Sequence, residues 1–284
     1  MEVSDAAYDV IRDLLFAHSG QEILPSRRWR IPTALSGLFR ELGIDNLDQL
    51  VCLLSTGRDA ELPQRVAEAL LNNETYFFRD RNYFDNLSQR VLPALAVHRA
   101  ATRELRIWSA GCSTGQEPLS LAMLLAGQPR WHGWRVSICA TDLSSRAIKA
   151  ARRATYSQFE IQRGISVTEM LTFFSEQKNR WTARGDLRRL IRFEQRNLLD
   201  TPPAGGPFDL ILCRNVLLYF DRQTRSRAAR RLHEAIAPDG WLMLGAGELL
   251  PEEDGLFCPE PGNHGLVRPR PGCGVSRLPA ASAA

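Results

Sequence analysis

The stretch WSAGCSTGQEP, Trp108 to Pro118, fixes the fold class. The apolar run LRIW leads into it, and an apolar helical stretch, Leu119 to Leu125, follows. This is a strand, a turn and a helix start. Gly111 and Gly115 allow tight bending and close approach of a ligand to the backbone. Pro118 suits a first helical turn. The glycines are spaced G-x-x-x-G rather than G-x-G-x-x-G, which argues against a pyrophosphate cradle. No Lys-Ser/Thr pair follows the second glycine, so the turn is not a Walker A loop.

Downstream the same rhythm repeats. WRVSICATD, LIRFEQRN, FDLILCRN and GWLMLGAGE are short apolar runs ending in small or polar residues, and helical stretches such as Ser144 to Arg153 separate several of them. Strands alternating with helices predict an α/β fold with a mostly parallel sheet. Ligands of such sheets bind at the C-terminal ends of the strands. The segment Phe173 to Phe193 fits this rhythm poorly, and its Gly185 and alternating charges predict a small antiparallel insert at about residues 173–193. HGLVRP, residues 264–269, reads as a last strand. The Pro-, Gly- and Ala-rich tail, taken as residues 269–284, reads as disordered.

Upstream the pattern is helical. Leu35, Leu38, Phe39 and Leu42 share one helical face, as do Leu47, Leu50, Val51 and Leu54, and then Leu62, Val66, Ala69 and Leu70. Asn46 and Asp59 lie where helix caps belong, and Gly43 where a helix stops. The expected organisation is a helical domain over residues 1–72, a linker helix over 73–98 that contributes to the site, and an α/β domain over 99–268.

The bulk properties bound the rest. The 284 residues are 44% hydrophobic and 24% charged, an ordinary globular composition. A net charge of +4 is too mild to imply nucleic acid. The six cysteines form no C-x-x-C pair, so no zinc or redox motif is expected. The longest apolar run, FDLILCRNVLLYF, is interrupted by Arg214, and the N-terminus lacks an apolar signal region. A cytoplasmic monomer without membrane insertion or bound metal is the expectation.

Asp142 closes the second strand in ICATDLSS. A glycine turn with an acid at the end of the next strand resembles S-adenosylmethionine (SAM) methyltransferases, where that acid accepts the two ribose hydroxyls. Glu117, near the helix start, would complement the ligand's positive amino or sulfonium group. Each residue also has a plainer role open to it: Asp142 as an N-cap of the following helix, Glu117 as a partner of the helix dipole.

A second segment, NNETYFFRD, Asn72 to Asp80, sits just upstream. An arginine beside three aromatics is costly to bury without an anionic partner. Together NNETYFFRD, AGCSTGQEP, ATDLSSRAIKAARRATYS, RNLLD and FDLILCRNVLLYFD resemble the CheR family, chemoreceptor glutamate O-methyltransferases, over about residues 5–265. The resemblance implies a Rossmann-like SAM-dependent methyltransferase that esterifies glutamates on a chemoreceptor cytoplasmic domain and releases S-adenosylhomocysteine. It implies that Asn73, Thr75 and Arg79 line the SAM site from the linker. Gly111, Glu117 and Asp142 would line it from the glycine turn and second strand. Asn197, Leu198, Arg214 and Asn215 would contact the adenosyl moiety, and Tyr219 would face the reacting methyl. Arg79 and Tyr219 are the catalytic candidates, although Tyr219 also reads as a packing residue at a helix start. Arg27, Arg28 and Arg30 could dock an acidic receptor helix or form a solvated basic face. Gln116 departs from the family, many members of which carry a second Glu there. The rival activities are weaker. The fourth strand ends in RNVLLYF, not in the Asn/Asp-Pro-Pro-aromatic of amino-methylating DNA enzymes, and no Pro-Cys dipeptide serves cytosine C5 chemistry. A non-catalytic SAM-binding module is the other alternative.

Overall fold

The structure is a computed structural model that describes residues 4–262 and 265–270. The tail expected to be disordered lies, from residue 271 on, outside the described residues.

Four helices open the chain: α1 (Asp5–Ser19), α2 (Arg30–Leu42), α3 (Leu47–Thr56) and α4 (Leu62–Leu70). Ser4 caps α1 by accepting from the Ala7 N–H, and Asn46 caps α3 by accepting from Gln49. Asp59 accepts from the Glu61 and Leu62 N–H groups just ahead of α4. Gly43 ends α2 in the left-handed conformation that glycine adopts without a Cβ penalty. Each helix turns an apolar stripe inward, and Ile11, Leu35, Leu50 and Val66 are wholly buried in a core separate from those of the sheet.

The linker departs from the expectation of a helix from residue 73. Residues 71–80 are irregular, and helix begins only at α5 (Arg81–Asn86), continuing through a π-turn (Leu87–Val91) into α6 (Leu92–His98). The reason is tertiary. Phe77 is fully buried, the Phe78 N–H donates to Ser120 Oγ at 2.9 Å, and Phe78 and Asp80 take φ of +47° and +57°. Tertiary anchoring bends the segment out of the helix its aromatics suggest.

The remaining elements in chain order are β1 (Glu104–Ala110), α7 (Gln116–Ala126), β2 (Arg135–Asp142), α8 (Ser145–Arg153), β3 (Thr155–Ser157), α9 (Gln158–Gln162), α10 (Val167–Phe173), β4 (Phe174–Gln177), β5 (Arg180–Ala183), α11 (Gly185–Arg188), β6 (Ile191–Gln195), β7 (Phe208–Cys213), α12 (Arg222–Ala235), β8 (Ile236–Leu244), β9 (Phe257–Pro259) and β10 (Leu266–Pro269). One seven-stranded sheet runs β6-β2-β1-β7-β8-β10-β9. Its first five strands are parallel, whereas β10 pairs antiparallel with both β8 and β9. The central strands are buried on both faces, as β7 is along its whole length, which explains why they read as unbroken apolar runs.

A separate three-stranded antiparallel sheet, β3-β5-β4, forms the insert. It begins at Thr155 and ends at Ala183, earlier than the stretch 173–193 expected from charge alternation. Ile191 belongs instead to the edge strand of the main sheet. Three residues of β3 are too few to show an alternating pattern.

The linker is stapled to the base of the sheet. Arg99, at the end of α6, donates from Nε to Asp209 at 2.6 Å and from both Nη atoms to Asp239 at 2.6 and 2.7 Å. Asp209 is buried and also accepts from the Arg106 N–H. Removing Arg99 leaves that carboxylate buried without its counter-charge. Arg99→Ala should therefore destabilise the fold by about 3 kcal/mol in urea denaturation at neutral pH. The Arg99 hydrogen bonds also hold the Asp239 carboxyl below its ordinary range. That arm is intact above the ordinary aspartate pKa and is lost as pH falls through the lowered one, so the deficit of the variant should shrink in acid.

Candidate active site

A cleft enclosing about 890 Å³ of empty space, its mouth included, opens at the C-terminal ends of β1, β2, β6 and β7. It lies where the sheet order reverses: β1 pairs with β2 on one side and β7 on the other, so the connections leave in opposite directions.

The floor is the glycine turn. The Gly111 and Cys112 N–H groups both donate to Thr141 O, at 2.8 and 2.9 Å, folding the turn back over β2. Gly111 has φ +79°, and a Cβ there would collide with Val216 Cγ2. Gly115, at φ +94°, would press a Cβ against Ala151 and the Tyr156 hydroxyl. Both positions therefore need glycine for two independent reasons.

Asp142 stands at the end of β2, one carboxylate oxygen accepting from the Ser113 N–H at 2.7 Å and the other from Ser144 at 2.9 Å. Ser144, not Asp142, caps α8 through its side chain. Asp142 is thus left to shape the turn and face the cleft. Glu117, in the first turn of α7, accepts from Ser109 Oγ at 2.8 Å and pairs with Arg214 at 3.4 Å. Burial pushes the carboxyls of both Glu117 and Asp142 up from their ordinary values. Arg214 and Ser109 oppose this at Glu117, and backbone donors oppose it at Asp142.

The linker segment closes the other side. Asn73, Glu74, Thr75 and Arg79 line the cleft opposite the floor. Ser113 Oγ donates to Asn73 O at 2.7 Å, tying the roof to the glycine turn. Arg79 donates from Nη1 to Glu74 O at 3.0 Å and lies 5.6 Å from the Tyr76 ring centre. Arg214 holds this segment in place. Its side chain is 1% exposed and donates to Arg79 O and Asp80 Oδ2, both at 2.8 Å. Its two Nη atoms bind protein groups, its Nε has no hydrogen-bond partner among the described residues, and the residue lines the cleft.

The remaining expected residues also line the cleft. The Asn197 amide donates to His18 O at 3.1 Å and accepts from Leu199, and Leu198 is buried beside it. Asn215, at φ +59°, donates its N–H to Glu248 at 2.7 Å. Tyr219 borders the cleft with its hydroxyl accepting from Asn72 Nδ2 at 2.7 Å. Of the three arginines considered for docking, Arg27 and Arg30 line a second cavity that shares Gln21, Asn72 and Tyr219 with the cleft. Arg28 instead pairs with Asp5 at 2.5 Å and sits over the Tyr8 ring.

Sequence reading missed two contributions. Ser19 and Gln21, at the end of α1, reach the cleft, and no local pattern marks them. Glu248 is buried and accepts from the Asn215, Gly245 and Leu218 N–H groups, organising the loop that carries Tyr219. An acid at or within a few residues of the end of a parallel strand, as at Asp142, was the available signal.

The donor set fits SAM. Two buried carboxylates suit a ligand with a positive amino group, a positive sulfur and ribose hydroxyls, and the two glycines remove the side chains that would obstruct it. Comparison with known proteins agrees. The family described as "CheR methyltransferase, SAM binding domain" matches residues 73–265. The chain is 35% identical to chemotaxis protein methyltransferase 1 of Pseudomonas aeruginosa, over 88% of this chain and 92% of that one. It is 34% identical to the chemotaxis protein methyltransferase of Vibrio parahaemolyticus, over 87% and 90%. Chemotaxis protein methyltransferase Cher2 of Pseudomonas putida is 31% identical, over 96% and 98%.

Asp142→Ala should weaken SAM binding about 10- to 100-fold, the worth of charge-assisted hydrogen bonds, with the far-ultraviolet circular dichroism unchanged. Calorimetry measures it. In the unsubstituted protein, protonating Glu117 or Asp142 removes the charge that the ligand pairs with. Because burial raises both carboxyls, affinity should already decline above the ordinary carboxylate range as pH falls, and reach a plateau on the alkaline side.

Proposed function

The chain belongs to the CheR methyltransferase family, and from that premise we propose that it methylates glutamate side chains on a chemoreceptor cytoplasmic domain, forming methyl esters. The observation that carries this reading is the division of charge in one cleft: two buried carboxylates on the floor, with an arginine and a tyrosine at the rim. The floor suits a cationic donor and the rim suits an anionic acceptor.

SAM, when bound, supplies a methyl group made electrophilic by a positively charged sulfur. Glu117 is placed to pair with the ligand's positive end and Asp142 to accept from its ribose hydroxyls. Thr75 and Asn73, on the roof, help exclude water from between donor and acceptor. A free glutamate side chain has a pKa of about 4.3 and is already ionised at neutral pH, so the reaction needs no general base. Among the described residues that line the cleft there is neither histidine nor lysine to provide one. Rate acceleration then rests on alignment, which contributes up to roughly 7–11 kcal/mol in favourable cases.

Arg79 is the residue for that alignment. Its Nη1 is spent on Glu74 O, while Nε and Nη2 make no hydrogen bond among the described residues and can receive a carboxylate. Arg27 and Arg30, around the adjoining cavity, suit an acidic helix bearing the acceptor. The relatives named as chemotaxis protein methyltransferases support the same substrate class.

The test is incubation with SAM and a receptor cytoplasmic fragment, followed by peptide mass spectrometry. Base-labile methyl groups on glutamates are expected, and ligand binding without turnover would favour a non-catalytic module instead. Arg79→Ala should lower kcat at least about 100-fold while leaving the urea midpoint unchanged. Turnover near that of the unsubstituted enzyme would remove Arg79 from the mechanism.

A further inference from the structure

Asn72 immediately precedes the site residues that the family resemblance singles out, yet its side chain hydrogen-bonds Tyr219. Its Nδ2 donates to the Tyr219 hydroxyl at 2.7 Å, across 147 residues of sequence. Its Oδ1 accepts from the Glu74 N–H at 3.3 Å. The second contact sets the orientation of the amide, because only the oxygen can accept from a backbone N–H. The NH₂ end therefore faces the phenol, and the phenol oxygen is an acceptor in this pair.

That polarity has a consequence for the hydroxyl proton. A phenol has one proton to donate. Asn72 does not take it, and no acceptor for it occurs among the described residues. Meanwhile the Tyr219 main chain is held from the opposite side, its carbonyl accepting from the Glu22 N–H at 2.9 Å. The ring is thus fixed at backbone and tip, with its proton unspent. Asn72 and Tyr219 border both the SAM cleft and the neighbouring cavity lined by Arg27 and Arg30. The pair stands at the boundary that an acceptor side chain must reach.

We infer that Asn72 is a positioning residue for methyl transfer, acting through Tyr219: by donating to the phenol oxygen it leaves the hydroxyl proton to be donated to the acceptor carboxylate. A donor that itself accepts a hydrogen bond is polarised and donates more strongly. No proton changes owner when a carboxylate becomes a methyl ester. The hydroxyl orients the oxygen it bonds, leaving the other carboxylate oxygen to attack. This inference rests on the methyltransferase reading above.

A kinetic double-mutant cycle tests it, using the full chain, SAM and the receptor fragment. Asn72→Ala should lower kcat about tenfold, the worth of one oriented hydrogen bond. The KM for the fragment and the calorimetric SAM affinity should stay within about twofold of the unsubstituted values. On a Tyr219→Phe background, Asn72→Ala should cost nothing further, because the group it acts through is gone. Asn72→Asp has nearly the same shape but reverses the polarity, its carboxylate taking the phenolic proton. It should lower kcat more than Asn72→Ala does, and that excess should also vanish beside Tyr219→Phe. Additive losses, or an Asn72→Asp enzyme as active as the unsubstituted one, would overturn the inference and leave only a structural tie. If the unsubstituted enzyme forms no glutamate ester, the functional reading itself falls; ester formation with additive losses removes the role of Asn72 alone.

Discussion

The site depends on one buried guanidinium. Arg214 lies at the end of β7, its side chain 1% exposed, between Asp80, the Arg79 carbonyl and Glu117. A cation so placed is tolerable only with its counter-charges present. It therefore fastens the linker to the sheet and keeps Glu117 partly compensated beneath the cleft. The Tyr83 and Phe84 rings, 5.3 and 5.5 Å away, add cation–π contact and shield the pairs from water. The position of Arg79 follows from the same residue, since Arg214 holds its carbonyl.

The cleft is consequently divided by charge along its depth. Carboxylates that burial drives toward the neutral state lie at the floor, where a cationic ligand would compensate them. Arg79 lies at the rim and Arg27 and Arg30 around the adjoining cavity, while Arg214 is buried at the floor against Glu117. Neither arrangement alone specifies methyl transfer to a carboxylate. The combination fits it because donor and acceptor carry opposite charges and each meets its complement.

The sequence carried those parts of this arrangement that are local. The glycine turn was readable because positive φ and close packing leave glycine little competition. Asp142 was readable because it ends a strand, and the helical stripes of α2, α3 and α4 because their apolar period is regular. What escaped was set by contacts distant in sequence. Residues 73–80 look like the start of a helix but are bent by the burial of Phe77 and the tie from Phe78 to Ser120. The insert was placed too late because its first strand has three residues. Arg214 was identified as a site residue, but its hold on Asp80 and the Arg79 carbonyl appears only once residues more than 130 apart meet.

The hydrogen bond between Asn72 and Tyr219 also bears on how the molecule is made. The two residues are 147 positions apart, so a ribosome delivers the roof long before the ring on which it rests. Arg214, which anchors that roof, emerges only shortly before Tyr219. The closed cleft therefore needs the chain through Tyr219, and a polypeptide stopping short of that residue lacks the contacts that seat the roof, however much of the amino-terminal bundle it contains.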